Sequence, residues 1–213
     1  MSSKITNRPI GFQRQVRQLI AKRTFNPPAK RGIVFVGSSI IRLWKSLEAD
    51  MSPLPVINQG FGGSKTWEVL NYADRLVIPY EPSIVVYYCG SNDINAGINA
   101  LEIELSFQAF AKYVWDNLPQ TRIFFISINR SPQKQHRWHI VDAANQAIAQ
   151  YCNAMPYLRY IDVNSALFDS LGKPRWELFE GDGVHLKPTA YQEFTQIIKP
   201  ILINAWHEEI IKP

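Results

Sequence analysis

Cysteine is scarce, with Cys89 and Cys152 the only two in 213 residues. A pair so far apart supplies neither a disulfide framework nor metal-ligand spacing, so both are expected to be small core residues. Long apolar runs are also lacking. Strand-sized runs such as 33–36 and 84–89 fall far short of the roughly 18 residues that a membrane span requires. The start has no continuous apolar core of a secretory signal, so a cytoplasmic location is expected.

Acidic residues are absent from positions 1–31, which hold eight Lys and Arg; the remainder has fifteen bases against eighteen acids, or −3. Attraction to an anionic surface therefore belongs to the N-terminal segment alone, and no nucleic-acid partner is expected. No repeat, low-complexity stretch or linker divides the chain. One domain over 1–213 is expected, with a basic helical extension over about 1–31.

Within that extension Phe12, Val16, Leu19 and Ile20 share a helical face, and Asn26, Pro27 and Pro28 stop the helix. The helix has three readings: docking on the domain with its arginines in water, weak contact with an anionic membrane, or an organelle-targeting presequence.

Five short apolar strands are predicted at 33–36, 55–58, 84–89, 122–127 and 158–163. Helical patterns lie between them at about 40–47, 64–78, 99–118 and 140–151, and a last helix opens at Pro188. Asn99 and Glu102 suit a helix cap, and Pro200 should kink or interrupt the final helix. Such alternation predicts an α/β domain whose parallel sheet is covered on both faces. In sheets of this kind ligands bind beyond the carboxyl ends of the strands, where strand order reverses.

Four short segments fall there. Gly37-Ser38-Ser39 follows the first strand, where a serine at a strand-to-helix turn can project its hydroxyl and offer its N–H. Gly62-Gly63-Ser64 follows the second; glycine lets backbone approach a ligand closely. Gly90-Ser91-Asn92-Asp93 follows the third, with an asparagine amide able to donate. Asp182-Gly183-Val184-His185 precedes the last helix, a spacing that lets a carboxylate fold back on an imidazole. Each alone is more often an ordinary turn or surface histidine. Together they contain a nucleophile, a base, an orienting carboxylate and oxyanion donors, the set that acyl transfer needs.

These segments, with Val34–Ile40 and Asn58–Ser64 around the first two, resemble the four blocks of the SGNH (GDSL-type) hydrolase superfamily in order and spacing over roughly 33–202. The resemblance implies a three-layer, flavodoxin-like sandwich with a five-stranded parallel sheet. It makes Ser39 the nucleophile, His185 the general base and Asp182 its partner. The N–H groups of Ser39 and Gly63 and the Asn92 amide become the oxyanion hole. The implied activity is cofactor-free hydrolysis of a carboxylic ester, of a short acyl or acetyl group, on a small molecule. Acyltransfer or thioester hydrolysis would use the same residues. A non-catalytic flavodoxin-like module binding phosphate or flavin is the rival from another class, and would not need Asp182 and His185. The usual aspartate of the first block is Ser38 here, leaving two adjacent serines.

The segment 129–138 lies at the same rim, where Arg130 and Trp138 are candidate substrate contacts and a polar surface loop is the plain alternative. Lys65 and Trp67 are either pocket wall or helix surface. His136, His139 and Asp142 have a helical spacing that could suggest a metal, but no fourth ligand accompanies them and none is expected.

Overall fold

The computed structural model describes residues 8–25, 27–28 and 30–211. Helix α1 (Gln13–Phe25) precedes strand β1 (Ile33–Gly37). Helices α2 (Ser39–Leu43) and α3 (Leu47–Met51) lead to β2 (Val56–Gly60). Helices α4 (Thr66–Asn71) and α5 (Ala73–Leu76) lead to β3 (Ile84–Tyr88). Beyond it come α6 (Ser91–Asn95), α7 (Ala100–Asn117), β4 (Arg122–Ile126), α8 (Trp138–Ala154), β5 (Leu158–Ile161) and α9 (Pro188–Ile211).

The strands form one all-parallel sheet in the order β2-β1-β3-β4-β5. Its side chains alternate between two cores. Val34, Val36, Val85, Tyr87 and Phe125 pack with the helices α1, α4, α5, α7 and α8. Ile33, Phe35, Val86, Phe124 and Ile126 face α2, α3 and α9. The result is the expected three-layer α/β arrangement. Strand order reverses between β1 and β3, and Gly37 pairs level with both Gly60 and Tyr88. Ser39, Gly63 and Asn92 lie two, three and four residues beyond those level positions, so the register itself brings them to one rim.

Local structure departs in part from the sequence reading in four helices. The expected helix 40–47 ends at Leu43, because the Ile41 carbonyl accepts from the Trp44 N–H and from the Asn58 amide. The chain restarts as α3, with the Trp44 indole donating to Asp50. The expected helix 64–78 breaks at Tyr72 and finishes as a 3-10 turn, Ile78–Tyr80, built on Pro79. Pro200 does not interrupt α9. Proline there forfeits one N–H donation, while Phe194, Ile198, Leu202 and Ala205 continue the buried stripe on both sides of it. In α7 the cap appears as expected on one side only. Asn99 accepts from the Glu102 N–H, but the Glu102 carboxylate takes a hydrogen bond from Arg8.

Helix α1 docks against α5 at the edge of the first core. Val16 is fully buried, with Phe12, Leu19 and Ile20 packed around it, while Arg14, Arg17 and Lys22 face solvent. Burying one such valine contributes about 2 kcal/mol, which a 13-residue helix, marginal on its own, needs. Asn26 lies outside the described residues. No helix among those described is long and apolar enough to cross a membrane.

Candidate active site

Ser39 opens α2 directly after β1. Gly37 makes the turn possible: its φ is +145°, and a β carbon there would sit 1.9 Å from the Tyr88 carbonyl oxygen. Ser38 is 1% exposed, whereas Ser39 is half-buried with its hydroxyl at the rim. His185 Nε2 lies 3.1 Å from Ser39 Oγ. On its other side His185 Nδ1 lies 2.6 Å from Asp182 Oδ2. Gly183, at φ +63°, turns the chain so that the carboxylate and ring meet. The second Asp182 oxygen accepts from the N–H groups of Val184 and His185, both at 2.9 Å. Partial burial works against ionising Asp182, but those N–H donors and the imidazole outweigh it and hold the carboxyl down at about 2. A carboxylate anchored in this way fixes the Nδ1–H tautomer and leaves the Nε2 lone pair for the Ser39 hydroxyl.

The candidate oxyanion donors are the N–H groups of Ser39 and Gly63 and the Asn92 amide. Among the described residues, no protein acceptor takes the N–H of Ser39 or Gly63. The Asn92 amide donates one hydrogen to the Ser64 carbonyl at 3.0 Å, which orients the group and leaves its second hydrogen. Gly63 holds φ +84°. The neighbouring Gly62 N–H is not available, since it donates to Gln15 Oε1 at 3.0 Å.

The turns after β2 and β3 are locked together by Asp93, which is fully buried and accepts from the Thr66 N–H and hydroxyl. Burial pushes its carboxyl up to about 6 against the pull of those bonds. Sequence reading took Asp93 only as part of a turn. It also missed Lys134, which lies in the segment 129–138, where the sequence offers either substrate contacts or a polar surface loop. The structure makes that segment a 3-10 turn, Pro132–Arg137, with Pro132 and Lys134 buried. The Lys134 ammonium donates to the carbonyl and hydroxyl of Ser91, next to Asn92. Burial, then the charge of Arg137, bring its amine down to about 8. No periodic signal marks a buried lysine in a polar segment.

Arg130 and Trp138 are not joined to this group by any hydrogen bond. Arg130 pairs with Asp142 at 2.5 Å and lines a depression of about 580 Å³ with Tyr160, Asp162 and Phe168. The Trp138 indole donates to the Ser131 carbonyl, and its ring meets Phe168 edge-on. Trp67 is buried, with Arg8 and Lys65 over its ring. His136 and His139 are exposed, and Asp142 is occupied by Arg130. Among the described residues no cluster of three or more potential metal ligands occurs. Both cysteines are buried, and burial raises their thiols, Cys152 to about 12 and Cys89 well above its usual range.

No curated protein matches the chain. Solved structures share its fold. A GDSL-like lipase from Bacteroides thetaiotaomicron is 18% identical, with 89% of this chain and 98% of that one covered at a TM-score of 0.73. A carbohydrate esterase of family 3 from Talaromyces cellulolyticus is 19% identical, covering 81% and 96% at 0.65. An acetyl esterase mutant solved with acetate ion is also 19% identical, covering 81% and 96% at 0.64. The family model described as GDSL-like Lipase/Acylhydrolase matches residues 37–193, from the glycine before the two serines to beyond His185. The chain belongs to the GDSL-like lipase/acylhydrolase family.

Proposed function

We propose that the protein hydrolyses carboxylic esters through an acyl-enzyme on Ser39. The observation that carries this reading is His185 standing between Ser39 Oγ and Asp182, 3.1 Å from one and 2.6 Å from the other. In the first step Ser39 Oγ attacks the ester carbonyl carbon while its proton passes to His185 Nε2. Asp182 holds the Nδ1–H and stabilises the imidazolium. The carbonyl oxygen becomes an oxyanion held by the N–H groups of Ser39 and Gly63 and the Asn92 amide. Collapse breaks the carbon–oxygen bond to the leaving alcohol, which takes the proton from Nε2. A water then repeats the sequence: His185 removes its proton, its oxygen attacks the acyl carbon, and the acid leaves as Ser39 regains a proton.

A short acyl group suits this site best. The Asp182 and His185 side chains remain 49% and 34% exposed, so the rim is open. Each further CH₂ gains about 0.8 kcal/mol only where it is buried. A fluorophosphonate probe tests the reading. Mass mapping should place one adduct on Ser39, and Ser39→Ala should abolish it. An adduct on buried Ser38, or none on wild type, rejects the assignment.

A further inference from the structure

The segment before and at the start of α1 lies outside the region that the family model matches, yet it is bonded to the loop that carries Gly63. Gln15 accepts from the Gly62 N–H. The Phe12 ring lies 3.3 Å from where a Gly63 β carbon would stand, and it also packs on Phe61. Glu68, buried in the first turn of α4, accepts at one oxygen from the Gly11 N–H and at the other from the Lys65 N–H. The Tyr72 hydroxyl donates to the Gly11 carbonyl, and the Trp67 indole to that of Pro9. Phe12 holds φ +69°, left-handed backbone that a residue with a β carbon rarely adopts and that surrounding contacts must maintain.

Each of these partners lies within the stretch from Phe61 to Tyr72, on either side of Gly63. The loop itself contains two consecutive glycines, which have the widest backbone freedom of any residue pair. An N–H aimed at a developing oxyanion acts well only when fixed beforehand. We infer that residues 9–15 form a strap that positions the Gly63 N–H, so that Gln15 and Phe12 are positioning residues for the oxyanion hole. Gln15 consumes the competing Gly62 N–H and fixes the orientation of that peptide, and Phe12 backs the Gly63 α carbon. The inference rests on the serine-hydrolase reading above.

The test uses the full chain with p-nitrophenyl acetate, and hydrogen exchange over residues 60–66 as a readout free of catalysis. Gln15→Met, which keeps length but loses the acceptor, should lower kcat about tenfold or more with KM within about twofold of wild type. Phe12→Ala should act in the same direction. Exchange over 60–66 should quicken in both while β3 is unchanged. Gln15→Glu retains an oxygen at the same reach and should keep more kcat than Gln15→Met. Gln18→Ala, on an exposed position of α1, should match wild type. Wild-type kcat in Gln15→Met and Phe12→Ala, or a loss confined to KM, overturns the strap's role whatever the exchange shows. A wild type that neither hydrolyses the ester nor takes the fluorophosphonate overturns the serine reading and the catalytic role with it; faster exchange in Gln15→Met would then report only a structural tie.

Discussion

Asp93 Oδ1 receives both the backbone N–H of Thr66, at 3.0 Å, and its hydroxyl, at 2.5 Å, across two turns that belong to different strands. One buried carboxylate thereby sets the spacing between Gly63 on one turn and Asn92 on the other.

This tie has a pH signature. The Asp93 carboxyl is raised from 3.8 to about 6, so between those values the folded protein keeps a proton that the unfolded chain has released. Stability therefore falls as pH rises through that window. Relative to Asp93→Asn, which does not titrate, wild type should lose on the order of 2 kcal/mol between pH 4 and 6.5. Urea unfolding of both proteins at intervals across the window measures it, and a constant difference would reject the shift.

Asp182 works in the opposite sense. Its carboxyl is depressed to about 2, so its contribution is present above about pH 4 and fades as pH falls toward 2. Asp182→Ala should flatten the acid limb of the melting-temperature profile in that range.

The catalytic consequences of the pair differ. His185→Ala removes the proton carrier and should leave almost no turnover. Asp182→Ala retains the imidazole but loses its anchor, and should keep more activity while still falling by two to four orders of magnitude. Steady-state rates on one ester decide this; equal activity of His185→Ala and wild type would reject the mechanism.

Asn92→Ala should reduce kcat by about 10²–10³, or roughly 3–4 kcal/mol of transition-state stabilisation. The fold should persist, because Lys134 still holds Ser91 and Asp93 still holds Thr66. Near wild-type kcat would return Asn92 to a turn-forming role.

Acyl length offers a separate check. With so exposed a rim, kcat/KM on p-nitrophenyl esters should be highest for two to four carbons and decline toward sixteen. A steady rise with chain length would demonstrate a deep acyl channel.

What the sequence revealed was local. Strands announced themselves as apolar runs, and the turns proposed to carry the chemistry follow the first three of them or precede the last helix, so the places of Ser39, Gly63, Asn92 and the Asp182–His185 pair in the fold were legible. The helix break at Leu43 was hidden because it depends on a tertiary partner, the Asn58 amide that takes the Ile41 carbonyl. The same holds for Gln15, 47 positions from Gly62, and for Lys134, 43 from Ser91. Periodicity tells which face of an element is apolar. It is silent about which distant side chain satisfies a given N–H.

The reach from Ser39 to His185 spans 146 positions and joins the first strand's exit to the start of the last helix. Between them every strand pairing is parallel, so each neighbour must be brought in by a crossover before the next can register. Ser39 and His185 therefore meet only when nearly the whole chain is in place. On dilution from denaturant, esterase activity should be the last signal to return, trailing the recovery of helix and of tryptophan burial, which makes turnover a sensitive gauge of complete assembly.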